Sequence, residues 1–412
     1  MAKLLKIAVR NLMRYKRRTW LTASLITIGV VFVLVFISVS GSFKSMMIGQ
    51  ITDSMLGHIQ IHQKGYVASI DNLPLNLNVK AQRAKEIEGV LNRIPELAAY
   101  SPRIKFGGMF SNFVETTNVR LNGIDPTKEF ATVPLFQSRV ISGAKTLQRG
   151  EIFIPELLAT GMKVKVGDTV VIVATNQDGS VNGKQFRVAA VLGSVTGPGG
   201  RDGYIHIEDA AEVLRMEGLD ISEIAIRLKD FNELHQVNRK LEGFLTQGKN
   251  QGGQSTLEVH TWETLSPFFN IAKMIEVMTL FIKLMLISIV LVSIMNVMIM
   301  AVYERIREIG TIAAIGTQPG KILSMFVIEG FCLGVLGSLL GILVGSVLLF
   351  ILNASHLRFD FGMQKGLLLS VRILPGDLLV VAVIVIIVSI LASLQPAVKA
   401  SRMEPIKALR HV

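Results

Sequence analysis

The residues of this chain whose types and spacing could do chemistry are few. The most concentrated set is Glu304-Arg305-Ile306-Arg307-Glu308-Ile309-Gly310, followed by Ala314, Ile315 and Gly316. On a helix, Glu304 with Arg307 and Arg305 with Glu308 stand at i,i+3 and can pair, while Ile306, Ile309 and Ala313 recur at helical spacing. One side is charged and the other apolar, an arrangement for recognition rather than covalent catalysis. Two descriptions fit: a docking surface for another protein, or the ordinary charged loop that joins two membrane helices.

Other reactive types are scattered. His58 and His62 fall on the polar face of an alternating strand, expected to be solvent-facing, and could begin a metal site, but no third ligand stands nearby. The run Gly197-Pro198-Gly199-Gly200-Arg201-Asp202-Gly203 resembles a phosphate loop only superficially, because no Lys-Ser/Thr follows it. No spacing of serine, histidine and carboxylate marks a nucleophile, so no catalytic residue and no metal or cofactor site is expected. Two ionisable residues, Lys283 and Glu329, lie inside apolar runs. Lys283 is expected at a membrane interface, where its stem can snorkel. Glu329, costly in lipid, is expected to face protein in a pairing role.

Those residues are positioned by four apolar blocks. Half of the 412 residues are hydrophobic, and much of that excess lies at about 19–41, 271–302, 322–352 and 376–394. Each block supplies the ~20 residues that a helix needs to cross a bilayer. The block ending at 302 is long enough to reach ~48 Å at 1.5 Å per residue, against a ~30 Å hydrocarbon core, so 263–302 is expected to be a stalk plus a span. Residues 42–56 form a matching stalk after the first span. In the third block Gly330, Gly334, Gly337, Gly341 and Gly345 repeat every three or four residues and make a stripe for close helix packing. The lone cysteine, Cys332, falls in the same block, so no disulfide is expected.

Basic residues set the orientation. Lys3, Lys6, Arg10, Arg14, Lys16, Arg17 and Arg18 precede the first span without an acidic residue, which predicts cytoplasmic N- and C-termini. The first apolar run is too long for a cleavable signal peptide. Residues 1–18 read as a basic arm, either an amphipathic helix whose Leu4, Leu5, Ala8 and Leu12 side lies along the inner leaflet or a plain positive-inside flank. The net charge of +12 is concentrated in that arm and suits anionic lipid better than nucleic acid. Residues 57–262 are then extracytoplasmic, with strand and helix patterns of an α+β domain and a β-rich insertion at about 140–207. Within it Asp178-Gly179 marks a hairpin-like connection. Residues 303–321 and 395–412 return inside, and 353–375 form a short outer loop.

Three stretches together resemble the permeases of the MacB, FtsX and LolC/LolE superfamily of ABC transporters. Glu304-Arg305-x-Arg307-Glu308-Ile309-Gly310 with Gly316 resembles that family's ATPase-coupling helix. The tail Pro396-x-x-x-Ala400-Ser401-Arg402-x-x-Pro405-Ile406-x-Ala408-Leu409 resembles its C-terminal signature, and Asn11-Leu12-x-Arg14-x-Lys16-Arg17-Arg18-Thr19 its N-terminal arm. The resemblance implies an inner-membrane permease that works by mechanotransmission, paired with a second copy or a paralogue. ATP and Mg would be bound by a separate cytoplasmic ATPase dimer, since no nucleotide-binding domain is fused. As a stand-alone chain it is most similar to the LolC/LolE group, which implies lipoprotein release, with Phe43, Met46, Met47, Met274, Val277, Met278 and Phe281 lining an acyl-chain cleft. The alternatives are MacB-like efflux of peptides or drugs through a periplasmic adaptor, or FtsX-like signalling to a periplasmic hydrolase.

Overall fold

The structure is a computed structural model that describes residues 2–194, 202–246, 256–356, 358–361, 364–368, 371 and 375–404. In chain order, α1 (Ala2–Arg14) and α2 (Lys16–Ile51) lead into β1 (Ile59–Gln63), α3 (Ala81–Leu91), β2 (Leu97–Ser111), β3 (Thr116–Ile124) and α4 (Pro126–Thr132). Next come β4 (Val140–Gly143), β5 (Glu151–Pro155), α5 (Glu156–Gly161), β6 (Thr169–Thr175), β7 (Val181–Leu192), β8 (Gly203–His206) and α6 (Ile207–Val213). They are followed by β9 (Glu223–Leu228), α7 (Leu234–Thr246), β10 (Leu257–Thr261), α8 (Trp262–Leu265), α9 (Phe268–Glu304) and α10 (Ile306–Ala314). The chain closes with α11 (Pro319–Ala354), β11 (Arg358–Phe361), β12 (Gln364–Leu368) and α12 (Pro375–Ser401). All of 195–201, with most of the glycine-rich run, and all of 405–409, the end of the C-terminal signature, lie outside the described residues.

The chain divides into two compact units. One comprises Met1–Lys44, Met274–Arg358 and Leu368–Val412, the other Ser45–Lys273 and Phe359–Leu367. Among the described residues, four helices, the ones within Lys16–Leu56, Phe268–Glu304, Pro319–Ala354 and Pro375–Ser401, are long and apolar enough to cross a membrane.

In the α+β unit, ten strands form one sheet in the order β10-β1-β9-β2-β3-β8-β5-β7-β4, with β6 pairing both β2 and β7. The strands of 140–206 do not stand apart as a separate sheet. They continue the core sheet through the parallel β3–β8 pairing and the antiparallel β2–β6 pairing. The β6–β7 hairpin turns at Asp178-Gly179, where Gly179 has φ +82°, a conformation that glycine adopts without a steric penalty.

β1 departs from expectation. His58, Gln60 and His62 are not on a solvent face; they are 5%, 1% and 0% exposed. β1 lies between β9 and β10, and its polar side is covered by polar and aromatic partners. His58 Nδ1 accepts a hydrogen bond from Leu228 N, and the His62 ring stacks on Tyr66 at 5.4 Å. Beside His62, Glu223 takes ion pairs from Arg103 at 2.9 Å and Lys105 at 2.9 Å, and Arg103 also pairs with Glu129 at 2.8 Å. Burial opposes ionisation of Glu223, but Lys105, His62 and Arg103 together hold its carboxyl well below the usual carboxylate range. Burial in the field of the same carboxylate pushes the Tyr66 phenol up.

A second difference lies at 353–375. Part of this expected loop is the two-stranded sheet of β11 and β12, foreshadowed by the polar-apolar alternation of Arg358-Phe359-Asp360-Phe361.

In the membrane unit the core gathers Leu12 of α1, Ile26 and Val30 of α2, Ile294 and Met298 of α9, Ile309 of α10, Phe326 and Leu333 of α11 and Val385 of α12. The five stripe glycines of α11 each cost helix propensity, about 1 kcal/mol relative to Ala, and the packing shows what they permit. A Cβ at Gly330 would lie 2.6 Å from Ser393 Cβ, and one at Gly334 2.7 Å from Ser389 Oγ, so this pair receives α12. A Cβ at Gly337, Gly341 or Gly345 would meet Ile26 at 2.4 Å, Val30 at 2.5 Å or Leu34 at 3.1 Å, so these three receive α2. One stripe thus serves two neighbours in succession. Gly29 of α2 does the same for α9, with its missing Cβ 2.3 Å from Val290 Cγ2.

Candidate functional site

The charged segment forms a corner. α9 ends at Glu304, Arg305 leaves helical geometry at φ −112°, ψ 21°, and α10 begins at Ile306. At the other end Gly316 adopts φ +94°. Its N–H bonds to Ala313 O at 3.0 Å and the N–H of Thr317 to Ile312 O at 3.3 Å, the paired bonds of a Schellman terminus that glycine suits. Gln318 then caps α11, with Pro319 in its first turn. The short helix is therefore bounded by an irregular residue on one side and a left-handed glycine on the other.

Burial sorts the motif residues into two sets. Glu304, Arg307, Thr311, Ala314, Ile315 and Gly316 are exposed, Ile315 to 80%. Glu308 is half-buried, while Ile309 is 2% exposed and Gly310 is also buried. Arg305, expected beside them on the docking face, points inward and is 5% exposed. The apolar side of α10 is spent on the chain's own core through Ile309. What faces outward is a stripe of Glu304, Arg307, Thr311 and Ile315.

Arg305 is drawn in by a charge network from three other elements. Its NH1 lies 3.3 Å from Glu329 Oε2 on α11, and its Nε donates to Glu308 Oε2 at 3.2 Å. Arg18 of α2 donates to the second oxygen of Glu329 at 2.9 Å and stands 3.9 Å from Glu304. The Tyr15 hydroxyl, between α1 and α2, donates to Glu308 Oε1 at 3.2 Å, with Arg14 3.7 Å from the same oxygen. The Arg305 guanidinium also lies over the Tyr15 ring at 5.6 Å and the Phe326 ring at 5.8 Å. Glu329, 1% exposed, sits at the centre between two guanidiniums. Three arginines meet three carboxylates, so the cluster is neutral overall, which is what permits such burial.

The N-terminal arm belongs to this assembly. Ala8 is 0% and Leu12 5% exposed, and α1 packs along α11. Protein, rather than the lipid leaflet expected from the sequence, covers the apolar side of the arm at these two positions. Lys6 and Arg10 remain exposed. On α12, Lys399 donates to the Tyr303 hydroxyl at 2.7 Å and lies 5.1 Å over its ring, tying the C-terminal signature to the end of α9.

The residues expected to line an acyl-chain cleft divide. Met274, Val277, Met278 and Phe281 on α9 are 62%, 47%, 52% and 67% exposed. Phe43 and Met46 are half-buried, and Met47 is fully buried and so cannot line an open cleft. Among the described residues no group of three or more His, Cys, Asp and Glu is placed to hold a metal. His58 stands 3.4 Å from Asp53 and His62 3.6 Å from Glu223, so each histidine already faces a carboxylate.

Comparison with known proteins places these features in two domains. Residues 19–244 match the model of the MacB-like periplasmic core domain, and residues 280–405 match that of the FtsX-like permease C-terminal region. The lipoprotein-releasing system transmembrane protein LolC of Xylella fastidiosa (strain 9a5c) is 24% identical over 71% of this chain and 72% of its own. LolC of Neisseria meningitidis serogroup B is 23% identical over 94% of this chain and 92% of its own. Among solved structures, the periplasmic region of MacB from Actinobacillus actinomycetemcomitans is 13% identical with a TM-score of 0.37, covering 51% of this chain and 92% of that one.

Proposed function

From its place in the MacB, FtsX and LolC/LolE superfamily of ABC transporter permeases, to which this chain belongs, we infer that α10 is the coupling helix through which a separate cytoplasmic ATPase drives the permease. The observation that carries this is the division of α10 itself. Glu304, Arg307, Thr311 and Ile315 face outward, while Arg305 ties the back of the helix to α11 and α2 through Glu329. Force applied to the outer stripe is thereby delivered to two spans at once. The ATPase binds ATP and Mg; this chain contributes no hydrolytic group. Both termini and α10 lie on the cytoplasmic side of the bacterial inner membrane, as the basic arm favours, and the α+β domain does its work outside as one of a pair of permeases.

The work is lipoprotein release from the membrane. Similarity to two LolC chains over most of their lengths supports this reading, and the four exposed apolar side chains of α9 from Met274 to Phe281 suit an acylated substrate. The match to the MacB-like core over 19–244 supports efflux with a periplasmic adaptor as the second reading.

The double reversal Glu304→Arg/Arg307→Glu tests the coupling. In membranes that hold the chain with its ATPase, ATP-dependent release of a radiolabelled lipoprotein is expected to fall at least about tenfold, one misplaced charge pair being worth a kcal/mol or more at an interface. The circular dichroism of the purified variant should match wild type. Undiminished release would remove α10 from the coupling path. Intact coupling without lipoprotein release, together with capture of a periplasmic adaptor, would favour efflux.

A further inference from the structure

Lys283, an ionisable residue inside an apolar run, has no part in the coupling scheme. Its side chain, half-buried on α9, borders a narrow apolar slot of about 80 Å³ bounded by α2, α9 and α12. Val33, Val290 and Val385 form buried walls, 5%, 6% and 5% exposed, and Val380 and Ile384 stand at the rim, 54% and 36% exposed. Among the described residues Lys283 makes no ion pair or hydrogen bond.

Its depth in the membrane follows from helix geometry. Lys283 precedes Glu304 on the same continuous helix by roughly 31 Å at 1.5 Å per residue. That is about the ~30 Å thickness of a bilayer's hydrocarbon core. With Glu304 at one boundary, Lys283 reaches the other, at the level of phospholipid phosphates. An ammonium there is a fixed donor of up to three hydrogen bonds, and the slot beside it accepts only hydrocarbon.

We propose that Lys283 and this slot form a seat for one bilayer phospholipid, the phosphate held by the ammonium and part of one acyl chain laid between α2, α9 and α12. Charge complementarity selects the head group, and the absence of polar side chains from the walls selects the chain. The slot is too small for a whole lipid, so the remainder stays in the bilayer, beyond the exposed rim of Val380 and Ile384. The occupant fills the groove between three spans and so helps set their spacing. This proposal depends on the membrane-spanning helices alone and stands apart from the coupling role of α10.

The test is native mass spectrometry of the full-length protein in dodecyl maltoside, titrated with dioleoyl phosphatidylglycerol. Wild type should show one saturable lipid adduct. Lys283→Met, which keeps the length and loses the charge, should raise the half-saturating lipid concentration about tenfold or more, the worth of one charge-assisted hydrogen bond. Lys283→Arg should stay within about threefold of wild type, since it keeps the charge. Ile384→Trp, which obstructs the rim, should weaken binding with Lys283 intact. Unfolding temperatures compared across the four proteins separate loss of the site from loss of the fold. Equal binding by wild type and Lys283→Met, an unsaturable ladder of adducts in wild type, or a retained species that is an acylated polypeptide would each overturn the proposal.

Discussion

Replacing Glu329 with glutamine keeps its shape and removes its charge, and the network around it sets the cost. In the folded protein Glu329 is 1% exposed and neutralises Arg18 at 2.9 Å and Arg305 at 3.3 Å. Removing one partner of a buried ion pair costs about 3–5 kcal/mol, because the other charge stays buried. Both arginines have reserves that lower this figure. Arg305 keeps Glu308 at 3.2 Å and two aromatic faces, and Arg18 keeps only the more distant Glu304 at 3.9 Å. We therefore expect Glu329→Gln to destabilise the docking of α10 on the bundle by about 2–4 kcal/mol. Hydrogen–deuterium exchange of peptides covering 305–316 in detergent micelles reads this directly. At about 1.4 kcal/mol per decade, α10 amides should exchange roughly 30- to 700-fold faster, while the strands of the α+β unit keep their rates. The double substitution Arg18→Met/Glu329→Met should recover part of the loss, since a buried pair exchanged for apolar groups of similar volume is often nearly neutral. An acceleration below about fivefold in Glu329→Gln would mean that the network does not hold α10, and would refute the reasoning.

Two further outcomes follow from packing and from charge. Gly337→Ala and Gly341→Ala force a methyl to within 2.4 Å of Ile26 and 2.5 Å of Val30, and each should cost about 1–3 kcal/mol of stability against thermal unfolding in micelles. Gly320→Ala, with nothing within 4 Å of the new methyl, should instead be neutral or stabilising by up to about 1 kcal/mol. Acid should weaken the α+β unit in two stages, followed by near-UV circular dichroism in urea. Burial and the nearby His62 lower the pKa of His260, so its contribution is complete above about pH 6.5 and is lost as pH falls through the lower folded value. Glu223, held well below the usual carboxylate range, contributes fully above about pH 4.3 and loses that contribution as pH falls further, through its own folded value. Glu223→Gln should abolish the second stage; a stability that does not change from about pH 7 to 3 would contradict both assignments.

The spans were legible because apolar runs of this length have few other uses, and the α10 corner because charge between two such runs cannot lie in lipid. β1 shows where a periodic pattern stops being informative. Alternation of histidine with isoleucine identifies two faces, but only Tyr66, just past the strand, and Glu223, distant in sequence, decide that the polar face is also covered. The glycine stripe of α11 was visible as spacing, whereas its division between α12 and α2 depends on how neighbouring helices cross it. Gly29 offered no repeat to notice at all.

Arg305 was misplaced for the same reason. Its i,i+3 partner Glu308 was readable, and that pairing is present at 3.2 Å, but the pull of Glu329 from α11 was not. Once Arg305 is inward, the meaning of the motif changes. Its alternating charges are not all addressed to one partner: Glu304 and Arg307 are exposed, and Arg305, between them, joins the buried network with Glu308 at its edge. A helix held from behind by Glu329 of α11 and, through its own Glu308, by Arg14 and Tyr15 cannot shift alone. Any displacement of α10 must either break ion pairs in a low-dielectric site, which is costly, or carry α2 and α11 with it. The second is the cheaper course, and under the coupling reading it would turn a push on α10 into movement of α2 and α11.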